Sequence, residues 1–235
     1  MKPSTPRKVE AATESDIPHI VDIYYDAFPG ERLRTVFPDT EEGRKWVTQA
    51  FKQCIGGASS VGGLETRTLV TRDPRGIAVA FALYRIWEAG SDLAARTWRA
   101  RWPLADGYPD MKNEILDAFF SPTDKSRDFL LGDRAHIHLE TLGVLPTHQK
   151  QGYGGALVKW GTELADELGI ECYLNASPAG RPLYAASGYI DHDVSAVMES
   201  PTAGPMLRPA KSQRMGHYPE YAPGTYPMVP SPAEK

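Results

Sequence analysis

The sequence predicts a mixed α/β fold in which a central mixed β-sheet is flanked by helices. Stretches with a helical spacing of apolar residues alternate with short β-like runs, in the order helix, helix, hairpin, strand, helix, strand, helix, strand. The 235 residues, of which 41% are hydrophobic and 24% charged, are enough for one domain with a sizeable core. We expect this domain at residues 9–200, after a loose N-terminus (1–8) and before a proline-rich segment (201–235).

Composition and charge narrow the class of protein. The net charge of -4 gives no general attraction to nucleic acid or to an anionic membrane, so neither is expected as a partner. The first residues, MKPSTPRKVEAATESD, lack the apolar run of a secretory signal, and the longest apolar stretch, GIAVAFALYRIW, is too short to span a bilayer. Two cysteines, Cys54 and Cys172, suit a reducing compartment. We expect a cytoplasmic protein, with a nuclear pool left open.

The first half of the chain predicts a strand, two helices and a hairpin. KVEAA (8–12) is a short first strand, a helix follows with Ser15 as its N-cap, and a second helix begins after Thr40. GGASSVGG (56–63) has the composition of a flexible connector. TRTLVTRD and GIAVAFALYRIWE then form two strands joined by a turn at residues 73–76.

The second half predicts an insertion followed by alternating strands and helices. Residues 90–134 are a long, partly helical insertion, in which DMKNEILDAFF is amphipathic and DKSRDFLLGD adds a further turn or two. AHIHLETLGVL, ECYLNAS and YIDHDVSAVME are β-like runs. GALVKWGTELADEL and RPLYAASG lie between them as helices that end at Gly169 and Gly188.

The stretch HQKQGYGGAL places three glycines at the start of a helix, where glycine is costly. The first turn of a helix leaves N–H groups without partners at the positive end of its dipole, so a strand that leads directly into a helix offers an anion site. Gly152, Gly154 and Gly155 would let a phosphate approach, while Lys150 adds charge and Gln149 adds hydrogen bonds. Close packing of the helix on the sheet is the alternative explanation. The spacing fits neither a Rossmann nor a Walker motif.

Two motifs around these glycines resemble those of the GNAT superfamily of N-acetyltransferases. Val-x-Pro-x-x-Gln-x-x-Gly-x-Gly runs from Val144 to Gly154 and resembles motif A, whose loop binds the pyrophosphate of acetyl-CoA. Tyr184-Ala-Ala-Ser-Gly188-Tyr189 resembles motif B. The order of elements matches the family's plan, and fungal members of this size look similar. The resemblance implies the GNAT fold and an acetyl-CoA-dependent N-acetyltransferase.

The same resemblance implies which residues bind acetyl-CoA. The main chain of Leu142 and Val144 would pair with the pantetheine arm like an extra strand, beside a splayed neighbouring strand, and the Leu142 N–H would donate to the thioester oxygen. Ser177 stands where the family often has an asparagine that contacts CoA. The diphosphate would be bound by backbone amides of the loop and first helical turn, at Gln149, Lys150, Gln151, Gly152, Tyr153, Gly154, Gly155 and Ala156.

The resemblance also implies the catalytic residues. Tyr184 is expected to protonate the CoA sulfur, because a phenol with a pKa near ~10 is protonated at neutral pH. His136, His138 and Glu140 alternate along their strand and therefore point to one face. His138 and Glu140 occupy the positions of the His-x-His pair of serotonin N-acetyltransferase and its relatives, so either is a candidate base acting through water. His136 is expected to be only a hydrogen-bonded polar residue.

Several alternatives stay open at this point. His136-x-His138-x-Glu140 offers metal-ligand residue types on one strand face, although no metal is expected. A non-catalytic acyl-CoA-binding protein would keep the glycine loop without needing Tyr184, and a transferase for a longer acyl group would differ only in its pocket. GTYPMV is the candidate for the family's last strand. Residues 201–224 would then form a long lid near the substrate opening.

The acceptor is the least determined part of the prediction. It is expected to bind near PGERLRTVFPD and the 201–224 loop. A small-molecule amine is favoured, with a peptide N-terminus, a polyamine and an aminoglycoside as other options. The protein is expected to act as a monomer or homodimer.

Overall fold

A mixed β-sheet forms the centre of the computed structural model, which describes residues 7–55, 63–197 and 204–214. The strands are β1 (Val9–Ala11), β2 (Leu64–Arg72), β3 (Ala78–Trp87), β4 (His136–Val144), β5 (Glu171–Ala176), β6 (Ile190–Asp191) and β7 (Gly204–Arg208). They form a seven-stranded sheet in the order β1-β2-β3-β4-β5-β7-β6. Neighbouring strands are antiparallel, except β4 and β5, which run parallel. The predicted fold class is confirmed.

Helices cover both faces of this sheet. They are α1 (Ile17–Ala27), α2 (Glu31–Val36), α3 (Glu41–Lys52), α4 (Trp98–Arg101), α5 (Asn113–Leu131), α6 (Tyr153–Leu168), α7 (Arg181–Ala186) and α8 (Lys211–Arg214). On one face, α1, α3, α4 and α5 share a core with inward residues of β3 such as Phe81 and Leu83. On the other face, α6 packs Leu157 and Val158 against Tyr84 of β3 and Leu139 of β4.

Local sequence signals explain where the long helices begin and end. Thr40 caps α3, because its side-chain oxygen accepts a hydrogen bond of 3.1 Å from the Gly43 N–H. Helix α6 starts after Gly152 and stops at Gly169, which has a φ of +70° and ends the helix in the left-handed conformation. These boundaries leave a short loop (145–152) between the end of β4 and the start of α6.

The insertion at 90–134 is more ordered than the sequence predicts. The two predicted helical pieces form one helix, α5, of 19 residues, which continues through Pro122. A 3-10 turn (Ala94–Arg96) and α4 precede it. Helix α2 also occupies the stretch PGERLRTVFPD, for which no helix is predicted. Packing of apolar residues against the sheet and the neighbouring helices stabilises these elements. The short ones contain too few residues to show a periodic apolar pattern in the sequence.

The first part of the predicted 201–224 lid contains a strand instead. The described strand is β7, GPMLR, which lies between β5 and β6, whereas GTYPMV and most of the predicted 201–224 lid lie outside the described residues. The sheet therefore extends past the predicted boundary at residue 200. Pro205 lacks a backbone donor, but Met206 and Leu207 fill the core at 1% exposure each, which favours a strand. YIDHDVSAVME supplies only the two residues of β6.

Two other predictions fall partly outside the described residues. The first strand is confirmed as β1, but residues 1–6 of the predicted loose N-terminus lie outside the described residues. The same holds for residues 56–62 of the connector GGASSVGG. Within the described ranges, no helix combines the length and the apolarity needed to cross a membrane.

We expect Gly161→Ala to destabilise the protein, although alanine ordinarily favours a helix by about 1 kcal/mol. A Cβ at Gly161 would lie 2.6 Å from the Tyr84 ring, which is fully buried and donates to the Leu157 carbonyl at 2.9 Å. Overpacking of this kind costs about 1–3 kcal/mol. Denaturant unfolding measures the change. Gly155→Ala in the same helix is the control, because its Cβ would meet nothing closer than 3.8 Å. Equal stability of the two variants would contradict the prediction.

Candidate active site

The parallel pair β4–β5 separates partway along its length. The two strands pair only from His136 with Glu171 to Leu139 with Leu174. Beyond this point β4 continues its pairing with β3, and β5 continues its pairing with β7. Residues 140–144 of β4 therefore have a neighbouring strand on one side only, and a gap opens on the other side. The splay expected from the family resemblance is present.

The backbone donors that face this gap follow from the register. The pairing of β3 with β4 skips Glu140, because Leu83 pairs with Thr141 while Tyr84 pairs with Leu139, so Glu140 forms a bulge. The Leu145 N–H donates to the Val79 carbonyl of β3 at 3.0 Å. Backbone N–H groups alternate in direction along a strand. The N–H groups of Leu142 and Val144 consequently point away from β3 and into the gap.

The loop between β4 and α6 directs further backbone donors at the same place. Lys150 adopts a φ of +58° and Gly152 a φ of +86°. The first hydrogen bond that closes α6 runs from the Ala156 N–H to the Gly152 carbonyl, at 3.0 Å. The N–H groups of Tyr153, Gly154 and Gly155 thus have no acceptor within the helix, at the positive end of a 16-residue helix. This geometry suits a bound anion.

Glycine occurs at positions 152, 154 and 155 for different physical reasons. Gly152 adopts the left-handed conformation that starts the helix. Gly154 packs α6 onto the sheet, because a Cβ there would lie 3.2 Å from Cγ2 of Val144. Gly155 has room for a Cβ, with the nearest atom, Cδ1 of Leu183, at 3.8 Å. The close-packing explanation therefore accounts for Gly154, whereas Gly155 leaves open space beside the exposed amides.

A cleft of about 1110 Å³ joins the β4–β5 gap to the glycine loop. It gathers most of the residues that the sequence predicts for the site, namely His138, Glu140, Leu142, Val144, Gln149, Lys150, Gly152, Gly154, Gly155, Ser177 and Tyr184. The structure brings these residues together from β4, the β4–α6 loop, the start of α6, the β5–α7 loop and α7.

Three predicted loop residues take structural roles instead. The Ala156 N–H is used by the Gly152 carbonyl, so it is not free to bind a diphosphate. The Tyr153 ring is buried and packs against the guanidinium of Arg7, 4.2 Å from the ring centroid, so only its backbone N–H faces a ligand. The Gln151 side chain donates to the Thr147 carbonyl at 2.9 Å, which holds the loop in shape.

Tyr184 lies on α7 and lines the cleft. It is 8% exposed, and burial raises the pKa of its phenol to about 12. The hydroxyl consequently stays protonated throughout the neutral pH range. Tyr184 thus places a protonated phenol at the wall of the cleft.

Glu140 is held by three donors. Its carboxylate accepts from Arg85 Nε at 2.7 Å, from Trp102 Nε1 at 2.9 Å and from Arg101 Nη1. The Arg85 and Glu140 side chains are 4% and 7% exposed, so this ion pair is buried. Arg101 also pairs with Asp124 of α5. The carboxylate that the sequence offers as a base therefore joins β4 to α4 and α5.

His138 has the opposite surroundings. It is buried, and its Nδ1 has no hydrogen-bond partner within the described residues. Burial, together with the guanidinium groups of Arg127 and Arg101, holds the pKa of His138 well below its usual range. The imidazole is therefore neutral at neutral pH. His138 lines the cleft with a neutral imidazole whose Nδ1 has no protein partner among the described residues.

His136 and Glu140 are both engaged by other protein groups. His136 is fully buried, its Nδ1 lies 2.9 Å from the Arg134 carbonyl, and burial lowers its pKa to about 3. The Glu140 oxygens are occupied by two guanidinium groups. Across residues 7–55, 63–197 and 204–214, no group of three or more His, Cys, Asp or Glu residues is arranged to hold a metal ion.

The stretch PGERLRTVFPD, which the sequence predicts to lie near the acceptor, contributes Gly30, Arg32, Leu33 and Phe37 to the cleft, whereas the other aromatic residues of its wall are not predicted. Besides Tyr184, eight aromatic side chains of the described chain line the cleft: Trp46, Phe51 and six that are here called the aromatic wall, Tyr24, Phe28, Phe37, Trp102, Phe119 and Phe120. Three of them come from the insertion at 90–134. The amphipathic pattern of DMKNEILDAFF predicts a helix there but does not indicate which core or cleft its aromatic residues face.

We expect Glu140→Gln to lower the free energy of unfolding by about 3 kcal/mol, because it leaves two buried guanidinium groups without a full countercharge. Urea unfolding measures the loss. Glu163→Gln on the exposed face of α6 removes the same charge from a surface pair with Lys159 and should change stability by under about 0.5 kcal/mol. If Glu140→Gln were as stable as this control, the ion pairs described here would not contribute to the fold.

Comparisons with known proteins agree with this geometry. Residues 118–189 match the sequence model of the Acetyltransferase (GNAT) family. The fold is similar to that of histone acetyltransferase HPA2 and related acetyltransferase from Corynebacterium glutamicum, at 22% identity and a TM-score of 0.53, over 88% of this chain and 97% of that chain.

Two further solved structures share the fold. Arylalkylamine N-acetyltransferase 2 from Aedes aegypti has 11% identity and a TM-score of 0.56, over 86% of this chain and 98% of that chain. An agmatine N-acetyltransferase variant in its apo form has 16% identity and a TM-score of 0.52, over 86% of this chain and 99% of that chain. A comparison with curated protein sequences finds no match. None of these findings tests the expected fungal type, which stays a prediction.

The matched range, 118–189, includes the open edge of β4, the glycine loop, the start of α6 and Tyr184. The similarity thus covers the same residues that the geometry brings to the cleft. The sequence match over the site and the shared fold agree with the resemblance to the GNAT superfamily.

Proposed function

We propose that the protein is an acetyl-CoA-dependent N-acetyltransferase that transfers the acetyl group to a primary amine by direct attack within a ternary complex. The observation that carries this proposal is the open edge of β4 beside the N-terminus of α6, in one cleft with a protonated tyrosine. These three features match three parts of a CoA thioester. The open strand edge matches the pantetheine amides, the helix N-terminus matches the diphosphate, and the phenol matches the sulfur.

Acetyl-CoA fits the residues along this path. The N–H groups of Tyr153, Gly154 and Gly155 would hold the diphosphate, and Lys150, which lines the cleft, adds a positive charge. The Leu142 and Val144 main chain would pair with the pantetheine arm as an added strand. The Leu142 N–H would then stabilise the negative charge that develops on the thioester oxygen during attack.

Two side chains would move the protons. In the reaction the amine nitrogen bonds to the acetyl carbon, the carbon–sulfur bond breaks, the nitrogen loses a proton and the sulfur gains one. Tyr184 would protonate the sulfur, since its raised pKa keeps the phenol in the acid form. His138 would accept the nitrogen's proton through a water, because it is neutral and its Nδ1 is unpartnered, whereas Glu140 is occupied by its arginine partners.

The acceptor class rests on chemistry and on the relatives. The named structural relatives are acetyltransferases of histones, arylalkylamines and agmatine by their descriptions, all of which present an amine. A small-molecule amine is the acceptor that we propose, without nucleic acid or membrane as a partner, for a monomer or homodimer. Both cysteines are buried free thiols, which supports a reducing, cytoplasmic location.

Gly155→Ala tests the binding of acetyl-CoA. The added methyl group fits the protein but stands beside the amides proposed to hold the diphosphate, so we expect Kd for acetyl-CoA to rise about tenfold or more, or about 1.4 kcal/mol. Isothermal titration calorimetry measures Kd, and thermal unfolding verifies that stability is kept. Lys159→Ala, an exposed site farther along α6, is the control and should keep the Kd of the unmodified protein. If neither variant changed Kd, the diphosphate would bind elsewhere.

Tyr184→Phe tests the chemistry. Loss of the phenolic proton donor should lower kcat by about 10²–10⁴-fold, while Kd for acetyl-CoA stays the same. Tyr189→Phe is the matched control, because Tyr189 is a buried neighbour whose ring centroid lies 6.0 Å away and which does not line the cleft. Thiol release in a screen of amines gives both rates.

The pH dependence of kcat adds an independent measurement. The acid form of Tyr184 persists below its pKa of about 12, so its deprotonation should cause no fall in kcat between neutral pH and about pH 10. Unchanged turnover in Tyr184→Phe would remove this role and favour either another proton donor or a protein that only binds acyl-CoA. Tighter binding of a longer acyl-CoA than of acetyl-CoA would instead change the donor and leave the fold and mechanism intact.

A further inference from the structure

The acceptor side of the cleft is built from a continuous series of aromatic rings. In the aromatic wall, Phe28 contacts Tyr24 at 5.4 Å between centroids, and Tyr24 contacts Phe37 at 5.6 Å. Phe37 continues to Phe119 at 5.4 Å, Phe119 to Phe120 at 5.0 Å, and Phe120 to Trp102 at 6.0 Å. Such a surface favours a flat, apolar ligand. The last ring, Trp102, ends at Glu140, beside the open edge of β4.

The charges of the cleft do not suit an ammonium ion. Its ionisable lining side chains are Arg32, Lys150, Glu140, His138 and His148, together with two tyrosines. Glu140 is the only acidic residue that lines the cleft within the described chain, and its charge is matched by two buried guanidinium groups. The face of Trp102, which would attract a cation, already has the Arg85 guanidinium 5.3 Å from its centroid. An ammonium ion entering here would meet no uncommitted carboxylate of the described lining.

Proton transfer in the reaction also favours an uncharged amine as the acceptor. When a neutral amine attacks the thioester, the nitrogen loses one proton and the sulfur gains one, so no proton is left over. An alkylammonium brings one more proton, which must leave before the nitrogen can attack. His138 would already take the proton that the nitrogen loses in the attack, and Glu140 is committed to Arg85 and Arg101, so neither offers a second site for the extra proton. An amine that is already uncharged in solution removes this requirement.

We propose that the acceptor is an aromatic amine in which the nitrogen is attached directly to the ring. Such an arylamine is flat, apolar and uncharged at neutral pH, so it matches both the aromatic wall and the absence of a free carboxylate. This inference rests on the proposed acetyl transfer and names its acceptor. A polyamine or an aminoglycoside, which carries several positive charges, is the opposite of what the cleft accommodates.

Three amines separate the two parts of this proposal. 4-Ethylaniline and 2-phenylethylamine are isomers with the same atoms, and they differ in whether the nitrogen is attached to the ring and hence in basicity. 2,2,2-Trifluoroethylamine is also mostly uncharged at neutral pH but has no ring. Each is incubated with the full-length protein and acetyl-CoA, thiol release gives kcat/KM, and mass spectrometry identifies the acetamide.

We expect kcat/KM at neutral pH to be at least about tenfold higher for 4-ethylaniline than for either of the other amines. Its rate should change little between pH 7 and pH 9, since the amine stays neutral throughout. Any rate with 2-phenylethylamine should rise roughly tenfold per pH unit, as its neutral fraction does. A preference for 2-phenylethylamine at neutral pH would overturn the inference, and equal rates with trifluoroethylamine would overturn its aromatic part.

Calorimetry with acetyl-CoA distinguishes the two levels of proposal. If acetyl-CoA binds and none of the three amines is acetylated, the arylamine assignment is overturned while acetyl transfer to another amine stands. If acetyl-CoA does not bind, the proposed function falls with it.

A variant of the wall gives a second readout. Phe28 is half-buried at the open end of the series, so Phe28→Ala should keep the fold, as thermal unfolding verifies. It should raise KM for 4-ethylaniline about fivefold or more, since a stacked aromatic contact contributes roughly 1 kcal/mol, and leave Kd for acetyl-CoA unchanged. An unchanged KM would remove the wall from acceptor binding.

Discussion

The divergence of β4 and β5 after Leu139 and Leu174 is the constraint on which the rest of the site depends. A strand edge inside a protein ordinarily needs a partner for its backbone groups. Here each strand keeps a full partner on its other side, β3 for β4 and β7 for β5, so the sheet remains intact while one edge stays open. A short loop (145–152) connects β4 to helix α6, and Gly154 lets α6 approach Val144 closely. Two sets of backbone donors therefore meet in one cleft without any charged side chain to position them.

Buried ion pairs fix the opposite wall to this edge. Glu140 lies at the bulge of β4, and its partners Arg85 and Arg101 come from β3 and α4. Arg101 continues to Asp124 on α5, which Arg127 also contacts. Buried charges are stable only when such partners satisfy them, so the network permits little sliding of α4 and α5 over the sheet. The aromatic rings carried by these segments are consequently held at a set position relative to Leu142.

Features encoded locally were predictable from the sequence, and features made by distant contacts were not. The order of strands and helices, the glycine loop and the location of Tyr184 depend on short-range patterns, and they are found where the sequence predicts them. The partners of Glu140 lie 55 and 39 residues away along the chain, and no local pattern indicates them. The inward turn of the Tyr153 ring is likewise set by Arg7. The strand GPMLR was not predicted, because the sequence around it is rich in proline. Its five residues form a strand only through pairing with the neighbouring strands.

The placement of β7 bears on how the chain acquires its structure during synthesis. This strand lies between β5 and β6 although it follows both in sequence. Until residue 208 has left the ribosome, the hydrogen-bonding groups of β5 that will face β7 have no strand beside them. An unprotected edge of this kind is a site for pairing with other chains. Productive folding of the nascent polypeptide thus depends on its late C-terminal stretch, and premature termination upstream of Gly204 would yield an aggregation-prone product.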